Sequence, residues 1–343
     1  MKIAVYSIAL NEEKHVARWA KACAGADGMF VLDTGSTDNT VELLKKHAVH
    51  TKKASISPWR FDVARNASLA LIPDDYDICV SIDMDEIPEP EFWNKLRKQW
   101  KKGSNRGWIY MDTGTRWVSD RIHARHGFHW IYPIHEVTAP SMGTKVKACA
   151  IDTVIMHKPD DSKSRAQYLT MLEQAVKEDP KEQRMLVYLI REYKFTQRYE
   201  DVLETVKGID NTGWDVERAA AYRNAGDACT HLGRIDEALA WYVAGTEALP
   251  NEPEPWIALA QHHYFQKSWE LCKEAGLKAE KSRLGKHYLA EPDCMWKQYD
   301  FVSLACWELG DARGALAAAG KALTYNPTDS RIKQNIAFYK QKV

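Results

Sequence analysis

Long hydrophobic runs are missing from this 343-residue chain: no stretch approaches the eighteen or so apolar residues that a membrane-spanning helix needs. The chain opens directly into Lys2-Ile-Ala-Val-Tyr-Ser-Ile8, without a basic segment leading into a long apolar core. The expectation is a cytoplasmic protein with no membrane partner. Excess charge of one sign is missing too. The 47 basic residues balance 47 acidic ones, which leaves no global attraction to nucleic acid or anionic lipid. The local strip Arg97, Lys98, Lys101 and Lys102 reads as a solvated helix face. Paired cysteines are absent: the seven stand singly at 23, 79, 149, 229, 272, 294 and 306, as reduced and mostly buried thiols do. No Gly-x-x-x-x-Gly-Lys loop occurs, no Gly-x-Gly-x-x-Gly follows the first strand, and no serine-centred elbow appears.

What is present falls into two textures, over residues 1–160 and 161–343, enough for two domains with a core each. In the first, short apolar runs alternate with amphipathic ones. Ile3–Ile8, Met29–Asp33 and Asp77–Asp83 read as strands, and Asn11–Cys23, Thr37–His47 and Phe61–Leu71 as helices. Such alternation implies an α/β domain with a mostly parallel, doubly wound sheet. Residues 108–135 then lose helical period and become rich in Trp, Tyr and His. A long irregular aromatic segment of this kind lines a site more often than it fills a core.

The second texture is helical throughout and repeats. Tyr222, Ala225, Gly226, Gly233, Ala238, Tyr242 and Pro250 form one unit. Trp256, Leu259, Ala260 and Cys272 follow 34 residues later, and Tyr299, Val302, Gly310, Ala315, Ala322 and Pro327 form another. A weaker unit, Leu186, Leu189, Tyr193, Tyr199 and Val202, precedes them. The spacing resembles the tetratricopeptide repeat and predicts an all-α solenoid, an interaction scaffold suited to acceptor binding or self-association.

Chemistry concentrates where the run Tyr76–Ile82 ends in Asp83-Met84-Asp85-Glu86. Acids this close repel one another unless a cation is shared, and Pro88 and Pro90 keep a long helix from starting there. The expectation is a Mg²⁺ or Mn²⁺ platform, since such ions need few protein carboxylates and complete their shell with phosphate. Asp33 ends an earlier strand, where it can accept a hydrogen bond from a ligand or cap the next turn. Arg65 can pair with a phosphate or fork onto one of the acids.

In order along the chain, Ser7-Ile-Ala-Leu-Asn11-Glu12-Glu13, Val31-Leu-Asp33-Thr-Gly-Ser-Thr-Asp38, Phe61-Asp62-Val-Ala-Arg65-Asn66 and Asp83-x-Asp85-Glu86 resemble the motifs of family 2 glycosyltransferases. The resemblance implies a GT-A fold, a Rossmann-like α/β domain, and hexosyl transfer from a nucleotide sugar, by analogy a UDP-sugar, with inversion. It implies donor contacts from Asn11, Glu12, Asp33, Arg65 and Asp83, and Asp83, Asp85 and His157 around the metal, the acidic pair acting as a DXD motif. Inversion needs a carboxylate on the acceptor side. Glu136, in Tyr132-Pro-Ile-His135-Glu136, is the expected base and Asp112 the second candidate. Trp117, Trp130 and His135 are the expected acceptor-side residues, with His123, His126 and His129 placed along the acceptor or diphosphate pocket. The acceptor expected first is a peptide or protein side chain, and second a hydroxymethylated base of bacteriophage DNA. A non-catalytic, nucleotide-binding repeat adaptor is the alternative of a different class.

Overall fold

The computed structural model describes residues 1–113, 116–158, 167–282 and 294–343. Contacts divide the chain into two compact units, Met1–Gln167 and Tyr168–Val343. The boundary expected at residue 160 lies outside the described residues.

The first unit runs β1 (Ile3–Ala9), α1 (Glu13–Cys23), β2 (Gly28–Asp33), α2 (Thr40–Lys46), β3 (His50–Lys53), α3 (Phe61–Leu69), β4 (Ile78–Ser81), β5 (Glu86–Pro88), α4 (Phe92–Gln99), β6 (Arg106–Asp112), β7 (Arg116–Ala124), β8 (Phe128–Ile131), β9 (Val137–Pro140) and β10 (Ala148–His157). Eight strands form one sheet in the order β3-β2-β1-β4-β7-β6-β10-β5, and β8 and β9 pair as a separate hairpin. Strands β3, β2, β1 and β4 are parallel, β6 and β10 run with them, and only β7 and β5 are reversed. Strands β1 and β4 are buried along almost their whole length, which is why both read as continuous apolar runs. Strands β6 and β10 alternate instead. Their inward residues Ile109, Met111, Ile151 and Ile155 join a core with Trp19, Phe92 and Leu96. Trp108, Tyr110 and Met156 face outward and stay exposed.

Helix α1 begins at Glu13, two residues later than its periodicity suggests. Asn11 has taken a left-handed conformation, φ 55°, which ends the strand and turns the chain.

The second unit is helical: α5 (Tyr168–Glu178), α6 (Gln183–Phe195), α7 (Tyr199–Thr205), α8 (Asp215–His231), α9 (Ile235–Ala248), α10 (Pro253–Phe265), α11 (Trp269–Lys281), α12 (Cys294–Glu308), α13 (Ala312–Tyr325) and α14 (Ser330–Lys340). Neighbours pack as hairpins, α6 on α7, α8 on α9, α10 on α11 and α12 on α13. Each hairpin turns through one left-handed residue at the same place, Gln197, Gly233, Lys267 and Gly310, and this recurring turn marks four copies of one unit. Gly226 shows why the small positions recur: a Cβ there would lie 2.7 Å from the Tyr242 ring. The cysteines at 23, 79, 149, 229, 272 and 306 are buried free thiols. Among the described residues, no helix is long and apolar enough to cross a membrane.

Candidate active site

Strands running in one direction deliver their chemistry to one edge of the sheet. Asn11 and Glu12 follow β1, Asp33 closes β2, Asp83 and Asp85 follow β4, Asp112 closes β6 and His157 closes β10. The order β3-β2-β1-β4 reverses direction between β1 and β4, and the crevice outside such a switch point is where open α/β sheets bind ligands.

On one side of that crevice the loops after β1 and β2 are zipped together. The Asn11 amide donates to Ser36 Oγ at 2.8 Å, and Asn11 Oδ1 accepts from the Thr37 amide at 2.8 Å. The Glu12 amide donates to Thr40 Oγ1 at 2.6 Å, while its side chain is buried. Asn11 and Glu12 therefore shape the loops through contacts within the protein. Asp33 spends one carboxylate oxygen on the capping role. Oδ1 accepts from the amides of Gly35 and Ser36, both at 3.2 Å, and so caps the turn. Oδ2 is buried and has no hydrogen-bond partner. An unpaired buried carboxylate oxygen is costly, so it marks a place prepared for a donor. Gly35, at φ 122°, makes the turn possible, and a Cβ on it would meet nothing within 4 Å, which leaves the backbone open to close approach.

The acidic cluster is organised by two arginines. Arg65, on α3 and only 5% exposed, gives Nη1 and Nη2 to Asp83 at 2.7 and 2.9 Å and Nε to Glu136 at 2.5 Å. Its guanidinium also lies over the Trp130 ring, 4.9 Å from the centroid. Arg121, on β7, reaches Glu86 at 3.0 Å and Asp83 at 3.6 Å. Burial alone would raise the Asp83 carboxyl, but Arg65 and Arg121 overcome it and hold it well below the usual carboxylate range. Glu86 is shifted the other way: burial dominates, the charge of Asp83 adds to it, and Arg121 offsets only part. Sequence reasoning placed Glu86 in this cluster but missed Arg121 as its partner. The signal was available in the period-2 placement of Arg121 between Ser119 and His123 on a strand.

Asp85 stands apart from these pairs and meets His157 instead. Asp85 Oδ2 lies 3.2 Å from His157 Nε2, and the Lys158 amide donates to the Asp85 carbonyl at 2.9 Å. The hydrogen bond to Asp85 outweighs burial and raises the His157 imidazole. An oxygen and a nitrogen donor, both partly exposed, could hold a divalent cation that takes its remaining ligands from water and phosphate, and the imidazole fits Mn²⁺ better than Mg²⁺. Among the described residues, no three His, Cys, Asp or Glu side chains stand together as a ligand set. Of the expected trio, Asp85 and His157 lie within hydrogen-bond reach of one another, while Asp83 gives both oxygens to Arg65.

The segment carrying Glu136 is locally strained. Tyr132 (φ 77°) and His135 (φ 52°) hold left-handed conformations that cost such residues about 1 kcal/mol or more. The Phe61 amide donates to the Pro133 carbonyl at 2.9 Å, fixing the segment against the start of α3. Glu136 accordingly points at Arg65. Asp112 is more open; its Oδ2 accepts from Arg116 Nε at 2.9 Å, and it pairs in register with Met156 beside His157.

The expected acceptor-side aromatics are placed otherwise. Trp130 is a core residue, 4% exposed, whose indole N–H donates to Tyr6 Oη at 2.7 Å. Trp117 packs against the main core of the sheet. His123 is fully buried on Tyr6 and so does not line the crevice, while the exposed His126 lies beside Asp74 and the exposed His129 contacts Ser141. A ring buried on a strand satisfies the same sequence texture as a ring lining a pocket, and burial is what separates them.

Residues 5–162 match the family model described as glycosyl transferase family 2. No curated protein matches the chain. Solved structures similar to it include MamA, 18% identical with a TM-score of 0.38 over 48% of this chain and 89% of that one. A thermophilic TPR protein of Thermus thermophilus is 19% identical, with a TM-score of 0.36 over 50% and 89%. The first TPR domain of human RPAP3 is 20% identical, with a TM-score of 0.31 over 36% and 90%. The repeat assignment rests on the hairpins and their shared left-handed turns. The family 2 glycosyltransferase match thus falls on the first unit, a mostly parallel, GT-A-like sheet, and is followed by a tetratricopeptide-like helical solenoid.

Proposed function

From its family 2 glycosyltransferase domain, we propose that this protein transfers a sugar from a UDP-sugar to a peptide or protein side chain, with a divalent cation and with inversion. The observation that carries the reading is the convergence of Asp33, Asp83, Asp85 and His157 at the carboxyl edge of one sheet, beside its switch point. In this reading Asp33 Oδ2 accepts from a uracil N–H or ribose hydroxyl as the Thr34-Gly35-Ser36 turn lifts. Asp83, fixed by Arg65, presents its outer edge to the ribose side.

Asp85 and His157 would hold Mg²⁺ or Mn²⁺, which when bound offsets charge on the departing diphosphate. Arg65 and Arg121 keep Asp83 ionised and orient the carboxylates around it. Glu136 is the first candidate to take the acceptor proton. While Arg65 holds its Oε1, that role requires the pair to loosen when donor binds. Asp112, on the open face with Trp108 and Tyr110, is the second candidate; its partner Arg116 is the more exposed of the two arginines, so this pair is the easier to loosen. The helical unit suits a macromolecular acceptor because repeats present extended surfaces.

UDP binding measured calorimetrically with and without Mn²⁺ tests the core of the proposal. Wild type should bind more tightly with the ion and Asp85→Ala should lose that enhancement; an equal metal response in both would reject the metal assignment. Radiolabelled nucleotide sugars incubated with separate protein, peptide and hydroxymethylated-DNA pools test the acceptor. Label confined to DNA would overturn the peptide assignment. Absence of both transfer and donor hydrolysis would favour a nucleotide-binding adaptor.

A further inference from the structure

The helical unit contains a pocket of about 210 Å³ that the transfer reaction does not use. Helices α8, α10 and α12 contribute Arg223 and Asp227, Glu254 and Gln261, and Lys297, and Tyr242 of α9 adds its hydroxyl. Arg223 and Asp227 are four apart on one helix, so they share a face. Tyr242 Oη donates to Asp227 Oδ1 at 2.7 Å, and Arg223 Nη1 lies 3.8 Å from the buried Glu254 Oε2. The lining carries two cations, two carboxylates and an amide, a mixture that selects among ligands. Arginine and lysine only donate hydrogen bonds, and carboxylates only accept. An anion would satisfy the first pair and be repelled by the second, and a cation the reverse. An apolar group would cut the polar lining off from water and give it nothing in return. A hydroxyl both donates and accepts, so a small neutral ring bearing several hydroxyls can satisfy every side of the pocket. The volume lies below the several hundred Å³ of pockets that take drug-sized ligands, which restricts the occupant to one such ring.

We propose that this pocket is a second saccharide-binding site, taking a single neutral sugar residue such as a hexose or N-acetylhexosamine. The inference goes beyond the transferase reading and does not rest on it, since no residue of the catalytic crevice takes part.

Saturation-transfer NMR on the full chain, with neutral monosaccharides, free glycine and inorganic phosphate as probes, tests the site. Signal transfer to at least one monosaccharide is expected. It should vanish in Ala258→Phe, which fills the pocket from α10, and Gln261→Ala, at the rim, should weaken binding about tenfold for the loss of one hydrogen bond. Both variants must keep wild-type circular dichroism and urea midpoint, and Asp85→Ala should leave the signal intact. No transfer to any sugar, transfer unchanged in Ala258→Phe, or preference for phosphate or glycine would each overturn the proposal. Loss of the signal in Asp85→Ala alone would place the sugar in the catalytic crevice instead and also overturn it.

Discussion

Arg65 and Asp83 meet as a two-point pair, with Nη1 2.7 Å from Oδ1 and Nη2 2.9 Å from Oδ2, while the remaining Nε–H of the same guanidinium goes to Glu136 at 2.5 Å. One buried cation thereby fixes two carboxylates that arrive from different parts of the chain, Asp83 after β4 and Glu136 before β9. The planar fork of arginine allows this; an ammonium group has no matching geometry. Arg121 supplies the second cation, and the pair of arginines offsets the mutual repulsion of Asp83, Glu86 and Glu136.

Arg65→Ala should destabilise the first unit by about 3 to 5 kcal/mol, because it strands two carboxylates in a poorly hydrated place. Arg65→Lys keeps the charge but cannot serve Asp83 at two points and Glu136 at a third, so it should fall between wild type and alanine. Urea unfolding followed by fluorescence of the first unit's tryptophans checks the order. Equal stability of Arg65→Lys and wild type would show that charge alone matters and that the fork does not.

Asp33→Asn separates capping from ligand contact. Asparagine can keep its Oδ1 on the Gly35 and Ser36 amides, so the turn should survive, and a neutral amide costs less to bury than a carboxylate oxygen without a partner. Thermal stability should therefore hold or rise. UDP affinity should fall roughly ten- to a hundredfold, the cost of replacing an acceptor with a donor facing a ligand N–H. Unchanged affinity in calorimetry would leave Asp33 with its capping role alone.

The carboxyl-end chemistry was legible in the sequence because β1, β2 and β4 are buried on both faces and so announce themselves as apolar runs ending in Asn11, Asp33 and Asp83. The repeats were legible because close helix packing dictates small residues, as Gly226 under Tyr242 shows. Arg65 stood between two roles, and only its contacts reveal that it is occupied by Asp83 and Glu136 together. The aromatic segment misled for a related reason. Trp130 and His123 lie on strands whose inner face is packed on Tyr6, and a single sequence does not say which face of a half-buried strand turns inward. A strand ending in acids was readable, yet which acid is left over after the arginines take their partners depends on side-chain pairing at long range.

The choice between Glu136 and Asp112 as base follows from the same pairing. If Glu136 removes the acceptor proton, Glu136→Gln should bind UDP with near-normal affinity while kcat falls by about two to four orders of magnitude, the usual worth of a general base. Asp112→Asn should then be nearly silent. A reversed result, with Asp112→Asn inactive and Glu136→Gln active, would assign the base to the open carboxylate and leave Glu136 as the structural partner of Arg65. Donor binding and turnover must be measured on the same preparations, since loss of the Arg65 contact can also disturb folding.

Beneath this site Tyr6, Trp130 and His123 form a buried chain whose proton positions are settled by its ends. The Ala124 carbonyl can only accept, so His123 Nδ1, 2.8 Å away, carries the hydrogen and Nε2 is left to accept from Tyr6 Oη, also at 2.8 Å. Trp130 Nε1 donates to the same Tyr6 oxygen, which completes the relay with a neutral imidazole. Burial pushes His123 down from 6.5 to about 4, and the contact with Ala124 offsets only part of that. The unfolded chain then binds a proton that the folded one refuses between those two values, so stability is unaffected above pH 6.5 and falls as pH drops toward 4. The full loss from this one residue is about 3 kcal/mol, of which about 2 kcal/mol should be evident by about pH 5. Urea midpoints of the first unit at about pH 7.5 and about pH 5 should differ in that direction, and the imidazole Cε1 proton of His123 should stay at its neutral shift throughout that range. A titration of His123 centred near pH 6.5 would mean that the ring is hydrated, and the relay with Tyr6 and Trp130 would have to be redrawn.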